Sequence, residues 1–187
     1  MKSHSILWER LDLPGHEACA LMEGRGRLEL SGTAIFSHRG SPCALRYSVE
    51  TAEGGRTRRA RVEGIVGRHP VDIRIRADRR RRWTINGRPC PQVEGCEDVD
   101  LNFSPSTNTL PIRRLSLAVG DRASVRAAWL RFPDFTFHPL DQVYHRKSRS
   151  SYRYGSSSGF SAVVEVNSAG LVTRYGGVWK AVAGLSL

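Results

Sequence analysis

The chain has 187 residues and a formal net charge of +11, and of its 29 basic residues only Lys2, Lys147 and Lys180 are lysines. That length suffices for one domain over 1–187 with a substantial core, and no composition shift divides it. No run of roughly 18 apolar residues is present to span a bilayer, and MKSHSILWERLDLPG lacks the apolar stretch of a signal peptide. A cytoplasmic protein is therefore expected, with Cys19, Cys43, Cys90 and Cys96 remaining thiols. The basic balance invites nucleic acid as a partner. The arginines are spread along the polar sides of alternating segments, where a solvated face explains them, so nucleic acid is disfavoured.

Apolar and polar residues alternate along most of the chain, the period of half-buried strands. Glu17 to Glu23 has room for a turn of helix. Leu28 and Leu30 then oppose Arg27, Glu29 and Ser31. Cys43, Leu45, Tyr47 and Val49 oppose Ala44, Arg46, Ser48 and Glu50, and Gly54-Gly55 turns the chain into a return strand through Ala60, Val62 and Val66. Val71, Ile73 and Ile75 continue the pattern. Arg79 to Arg82 reads as a solvated turn, and Asn86-Gly87 marks another tight turn after Trp83 and Ile85. From Asp98 the chain reads DVDLNFSPSTNTLPIRRL. Val99, Leu101 and Phe103 face one way and Asp98, Asp100 and Asn102 the other. Pro105 and Pro111 bracket a loop of hydroxyl and amide side chains able to bond their own backbone, with a turn or two of helix possible over Thr107 to Arg114. Leu115 to Val119 is expected as a strand, reversed by Gly120-Asp121 into Arg122 to Phe132. Later strands carry Val143, Phe160 to Val166, and Leu171 to Tyr175. About a dozen strands with no long helix, each with one apolar face, must curl that face against itself, which predicts an all-β roll or incomplete barrel.

The Asp98–Leu115 run resembles the signature of a bacterial family described as glycolipid-binding. Trp8, the WTING segment at Trp83, the Gly95–Cys96 pair, the FPDF segment at Phe132, Gln142 to Tyr144, Tyr152 to Tyr154, and the GLV segment with Tyr175 and Trp179 extend the likeness in order. The resemblance implies a spiral β-roll and a lipid or glycolipid-like amphiphile as ligand, with no defined catalytic mechanism.

The residues place such a ligand with its tail in the roll interior, among some of Trp8, Phe36, Trp83, Phe103, Trp129, Phe137 and Trp179. Asn108, Arg113 and Arg114 would form a polar rim, the arginines suiting a phosphate or carboxylate head group through their planar forks, and Asp98, Asp100, Asn102, Thr107 and Tyr144 complete the candidate ligand-binding set. The bland alternative is that the aromatics fill a core and Arg113 pins Asp98 or Asp100. A hydrolase would use Asp98 and Asp100, about 7 Å apart along one strand face, with Arg113 and Arg114; those arginines are expected to keep both acids ionised, leaving no general acid. A third reading is a basic interaction module for nucleic acid or anionic membrane. No cofactor is called for, and the spacing of Cys90 and Cys96 matches no paired zinc motif.

Overall fold

The computed structural model describes residues 2–184. The first half is a run of antiparallel hairpins: β1 (Lys2–Arg10), β2 (Gly15–Gly24), β3 (Arg27–His38), β4 (Ser41–Thr51), β5 (Thr57–Val66), β6 (His69–Ala77), β7 (Trp83–Ile85) and β8 (Arg88–Pro89). After β9 (Asp98–Leu101) a 3-10 turn at Ser106–Asn108 leads into α1 (Thr109–Leu115). The second half is β10 (Arg122–Arg131), β11 (Thr136–Arg146), β12 (Ser151–Ser156), β13 (Ser161–Val166), β14 (Val172–Tyr175) and β15 (Trp179–Ala183). β15 returns to pair with β1, so all fifteen described strands form one sheet whose free edges are β8 and β9. Every pairing is antiparallel except β9 with β10.

Twist and curl bring the two ends of this sheet over one another without closing it. Thr57, at the start of β5, donates its N–H to Glu97 O at 3.2 Å, and its hydroxyl accepts from Val99 N–H at 3.0 Å. Trp83 of β7 packs edge-on against Phe137 of β11, with centroids 5.7 Å apart. The result is an all-β spiral roll with the β9 end tucked inside. Its interior is occupied by side chains, of which Trp8, Trp83, Tyr47, Tyr144 and Phe103 are the largest fully buried. Trp8 Nε1–H donates to Val172 O at 2.6 Å, tying the first strand to the last hairpin.

The overlap corrects several expectations. Asp98 is buried and Asp100 half-buried, although alternation puts both on the polar side of the strand, because the roll covers both faces of β9. Glu17 to Glu23 lies in β2, where pairing with β1 and β3 overrides any local helical tendency. Leu115 to Val119 forms no strand: α1 runs through Leu115 and ends at Ser116 in the left-handed region (φ 44°). Arg79 to Arg82 is a turn, yet Arg81 is not freely solvated. Its guanidinium donates to Cys96 O, Thr57 O and Glu97 O at 2.6–2.9 Å and lies 4.7 Å from the Trp83 ring centroid, clamping the sheet overlap.

Candidate functional site

The outward face of β1 to β5 carries a cleft of about 740 Å³. Its shape follows from register. Ala18 and Ala20 of β2, Ser31 and Thr33 of β3 and Ser48 of β4 lie side by side in mid-sheet. Larger outward residues, His16 and Ile35 at one end and Met22 and Glu29 at the other, flank them. Small side chains between large ones leave a trough running across the strands. One cross-strand row reads Ala183, Leu7, Ala18, Thr33, Arg46, Glu63. The next reads Ser5, Ala20, Ser31, Ser48, Arg61. Along the first row the lining therefore passes from apolar at Ala183, Leu7 and Ala18, through the Thr33 hydroxyl, to charge at Arg46 and Glu63, while the second row is rich in hydroxyls and ends at Arg61. The six strands span about 24 Å at the usual interstrand spacing. Arg61 pairs with Glu63 and Asp72, while Arg46 forms no ion pair among the described residues.

Gly32 also borders the trough, and beneath it lies a buried polar network. A Cβ on Gly32 would stand 2.4 Å from Tyr47 Oη, so glycine here lets the Tyr47 ring cross β3. The phenol donates to Glu17 Oε1 at 2.5 Å, and Ser104 Oγ donates to the same oxygen at 2.6 Å. Ser104 in turn lies 2.7 Å from Ser106 Oγ. Glu17 is fully buried and its Oε2 has no hydrogen-bond partner among the described residues. Burial pushes its carboxyl up to about 8, against the opposing effect of the two hydroxyl donors and of Arg10. Neighbouring Cys19 is pushed up to about 12, by burial and then by Glu17.

The sequence-predicted residues lie elsewhere, mostly inside the roll. Arg114 bonds Asp98 Oδ2 at 2.5 Å and Glu97 Oε2 at 2.6 Å, while Arg113 pairs with Glu23 and donates to Ala169 O at 2.8 Å. Both arginines are thus tied to protein acceptors, and the pin on Asp98 is Arg114 rather than Arg113. Asp100 accepts from Gln142 Nε2 at 2.7 Å, and Gln142 also donates to Tyr154 Oη at 3.1 Å. Tyr144 Oη donates to Asn108 Oδ1 at 2.9 Å. The structure therefore brings Asp100, Asn108 and Tyr144 into one region with Gln142 and Tyr154. Thr107 accepts from Leu101 N–H, exposed Asn102 from Phe132 N–H, Trp83 donates to Cys96 O, Phe103 packs on Tyr47, and Trp129 is half-buried on β10. Trp8, Phe36, Phe137 and Trp179 are core residues. Arginines do not hold both acids ionised in the way expected: Asp98 is raised by burial despite Arg114, and Asp100 is pushed up to about 6 by burial.

Sequence reasoning passed over Glu17 and the trough. The signal for Glu17 was its parity, since Glu17, Cys19 and Leu21 share one strand face and a carboxylate there falls in an apolar row. Among the described residues no group of three or more His, Cys, Asp or Glu converges on a metal position, and no helix is long and apolar enough to cross a membrane.

A family model described as "Putative glycolipid-binding" matches residues 5–181. The chain is also similar to a crystal structure of a DUF1089 family protein from Pseudomonas aeruginosa, at 32% identity over 88% of this chain and 91% of that one, with a TM-score of 0.75. None of the curated proteins matches it.

Proposed function

We propose, for a chain that belongs to this glycolipid-binding family, that it is a binding protein which holds an amphiphile in the trough across β1 to β5. The observation that carries this reading is the graded lining, apolar at Leu7, Ala18 and Ala183 and charged at Arg46, Arg61 and Glu63, in a cleft of about 740 Å³. Small-molecule sites are typically clefts of about 300–1,000 Å³ with an apolar lining and a few polar groups that fix orientation. An acyl or alkyl tail would lie over β15, β1 and β2, with a hydroxyl-rich head reaching Thr33, Ser48, Arg46 and Arg61. The interior placement of the tail is replaced here, because the core positions are filled and the Arg113–Arg114 pair is bound to Glu23, Glu97, Asp98 and Ala169.

The test is calorimetric titration with n-alkyl glucosides of increasing chain length, below micelle formation, with free glucose as control. Burial of a methylene is worth up to about 0.8 kcal/mol, so affinity should rise by as much as about fourfold per added carbon until the apolar end is full. Affinity independent of chain length, or equal to that of glucose, would sink the reading.

A further inference from the structure

We propose that a second cleft, between the end of α1 and the turns that follow β11 and β13, binds a phosphate group. It measures about 630 Å³ and is bordered by Arg113, Arg146, Arg149, Asn167, Ser150 and Ser168. It contains no acidic lining residue and shares none with the trough.

Arg146 is built into place. Its guanidinium donates to Leu117 O at 2.6 Å, Arg149 O at 2.7 Å and Ser148 O at 3.1 Å, and lies 5.7 Å from the Tyr152 ring centroid. Those acceptors are neutral carbonyls, so they fix the fork without cancelling its charge. Neither Arg146 nor Arg149 forms an ion pair among the described residues. Arg113 enters from α1, its charge shared with Glu23. Asn167 Oδ1 accepts from the N–H groups of Ala169 at 3.1 Å and Leu171 at 3.0 Å, which orients its amide and leaves the NH₂ to donate.

Donors thus approach from the turn after β11, through Arg146 and Arg149, and from the turn after β13, through Asn167, while Arg113 adds positive charge from α1. Donors from two turns suit the several oxygens of a tetrahedral phosphate, and guanidinium groups bond phosphate strongly. The C-terminal end of α1 faces the same cleft and opposes an anion. A helix end carries about half a charge, less than two guanidinium groups without counter-ions.

The experiment titrates the whole chain with inorganic phosphate at fixed ionic strength in chloride, and separately with phosphatidylcholine vesicles containing or lacking phosphatidic acid. Arg149→Gln is the informative variant, because Arg149 is exposed and its side chain makes no hydrogen bond among the described residues; Arg146 is left intact because it holds the turn together. Arg153→Gln, exposed on β12 and outside the cleft, is the control for general charge. The expected result is binding weakened at least fivefold by Arg149→Gln and less than twofold by Arg153→Gln, with Tm in chloride unchanged. Saturation by inorganic phosphate would identify a free phosphate or small phosphorylated ligand, and binding to phosphatidic acid vesicles alone would identify a lipid head group; either supports the site. Binding to neither probe overturns it, as does binding that both variants weaken equally.

Discussion

The two faces of β1 to β5 use one alternating pattern for opposite ends. Inward positions build a packed core into which a single carboxyl, Glu17, is set with two hydroxyl donors on one oxygen. Outward positions on β2 and β3 do without large side chains in mid-sheet, and the depression that remains grades from apolar to charged along the row Leu7–Ala18–Thr33–Arg46, beside the hydroxyl-rich row Ser5–Ala20–Ser31–Ser48. Gly32 belongs to both faces, because its missing side chain lets Tyr47 reach Glu17 while it borders the trough. The contrast teaches that a polar group inside this fold serves structure and carries a stability cost, whereas the surface facing away from the core has the composition of a binding cleft.

The largest expected effect comes from the inner face. A carboxyl raised from 4.5 to about 8 binds its proton more tightly in the folded than in the unfolded chain. The folded state is then favoured below pH 4.5 and loses that advantage as pH rises through 8, by roughly 5 kcal/mol in all. Asp100, raised to about 6, adds a loss of the same sign that is nearly complete by about pH 7. Denaturant unfolding between pH 7 and 8 therefore reads mainly Glu17, and Glu17→Gln should flatten the decline; an unchanged slope would show that Glu17 is not the titrating group. Gly32→Ala follows, since its Cβ would meet Tyr47 Oη and Cζ at 2.4 and 2.5 Å and Ala18 O at 2.8 Å. Displacing a buried ring and its bond to Glu17 should cost roughly 3 kcal/mol and lower Tm accordingly.

The outer face should behave in the opposite way. Ala18→Trp, at an exposed position, should leave Tm nearly unchanged while filling the apolar part of the trough, lowering alkyl glucoside affinity at least tenfold, or about 1.4 kcal/mol. The smallest effect expected is that of Arg46→Gln, a loss of about threefold from one polar contact to the head group. A Tm drop of several degrees in Ala18→Trp would erase the distinction between the two faces.

The roll itself was legible because alternation recurs from Leu28 to Tyr175 and because the Gly54-Gly55 and Asn86-Gly87 turns fall where the chain reverses. The Pro-bracketed loop also behaves as its composition predicts: Ser104 Oγ accepts from Ser106 N–H at 3.1 Å, and Asn108 Nδ2 donates to Pro105 O at 3.2 Å. What alternation does not encode is which strands overlap. Asp98 and Asp100 read simply as the polar side of a strand because a strand pattern reports two faces and not what lies beyond each, and the overlap of β9 with β5 depends on accumulated twist. The trough was hidden for a related reason. Its residues are small and polar, and they become neighbours only through five strand registers that no single segment specifies.

The most direct measurement is photo-labelling with an alkyl glucoside carrying a diazirine at its terminal carbon, followed by peptide mapping. Binding in the trough predicts label on Leu7, Ala18 or Ala183, lost in Ala18→Trp. Label concentrated on core residues such as Phe103 or Tyr144, with the trough unmodified, would contradict the account.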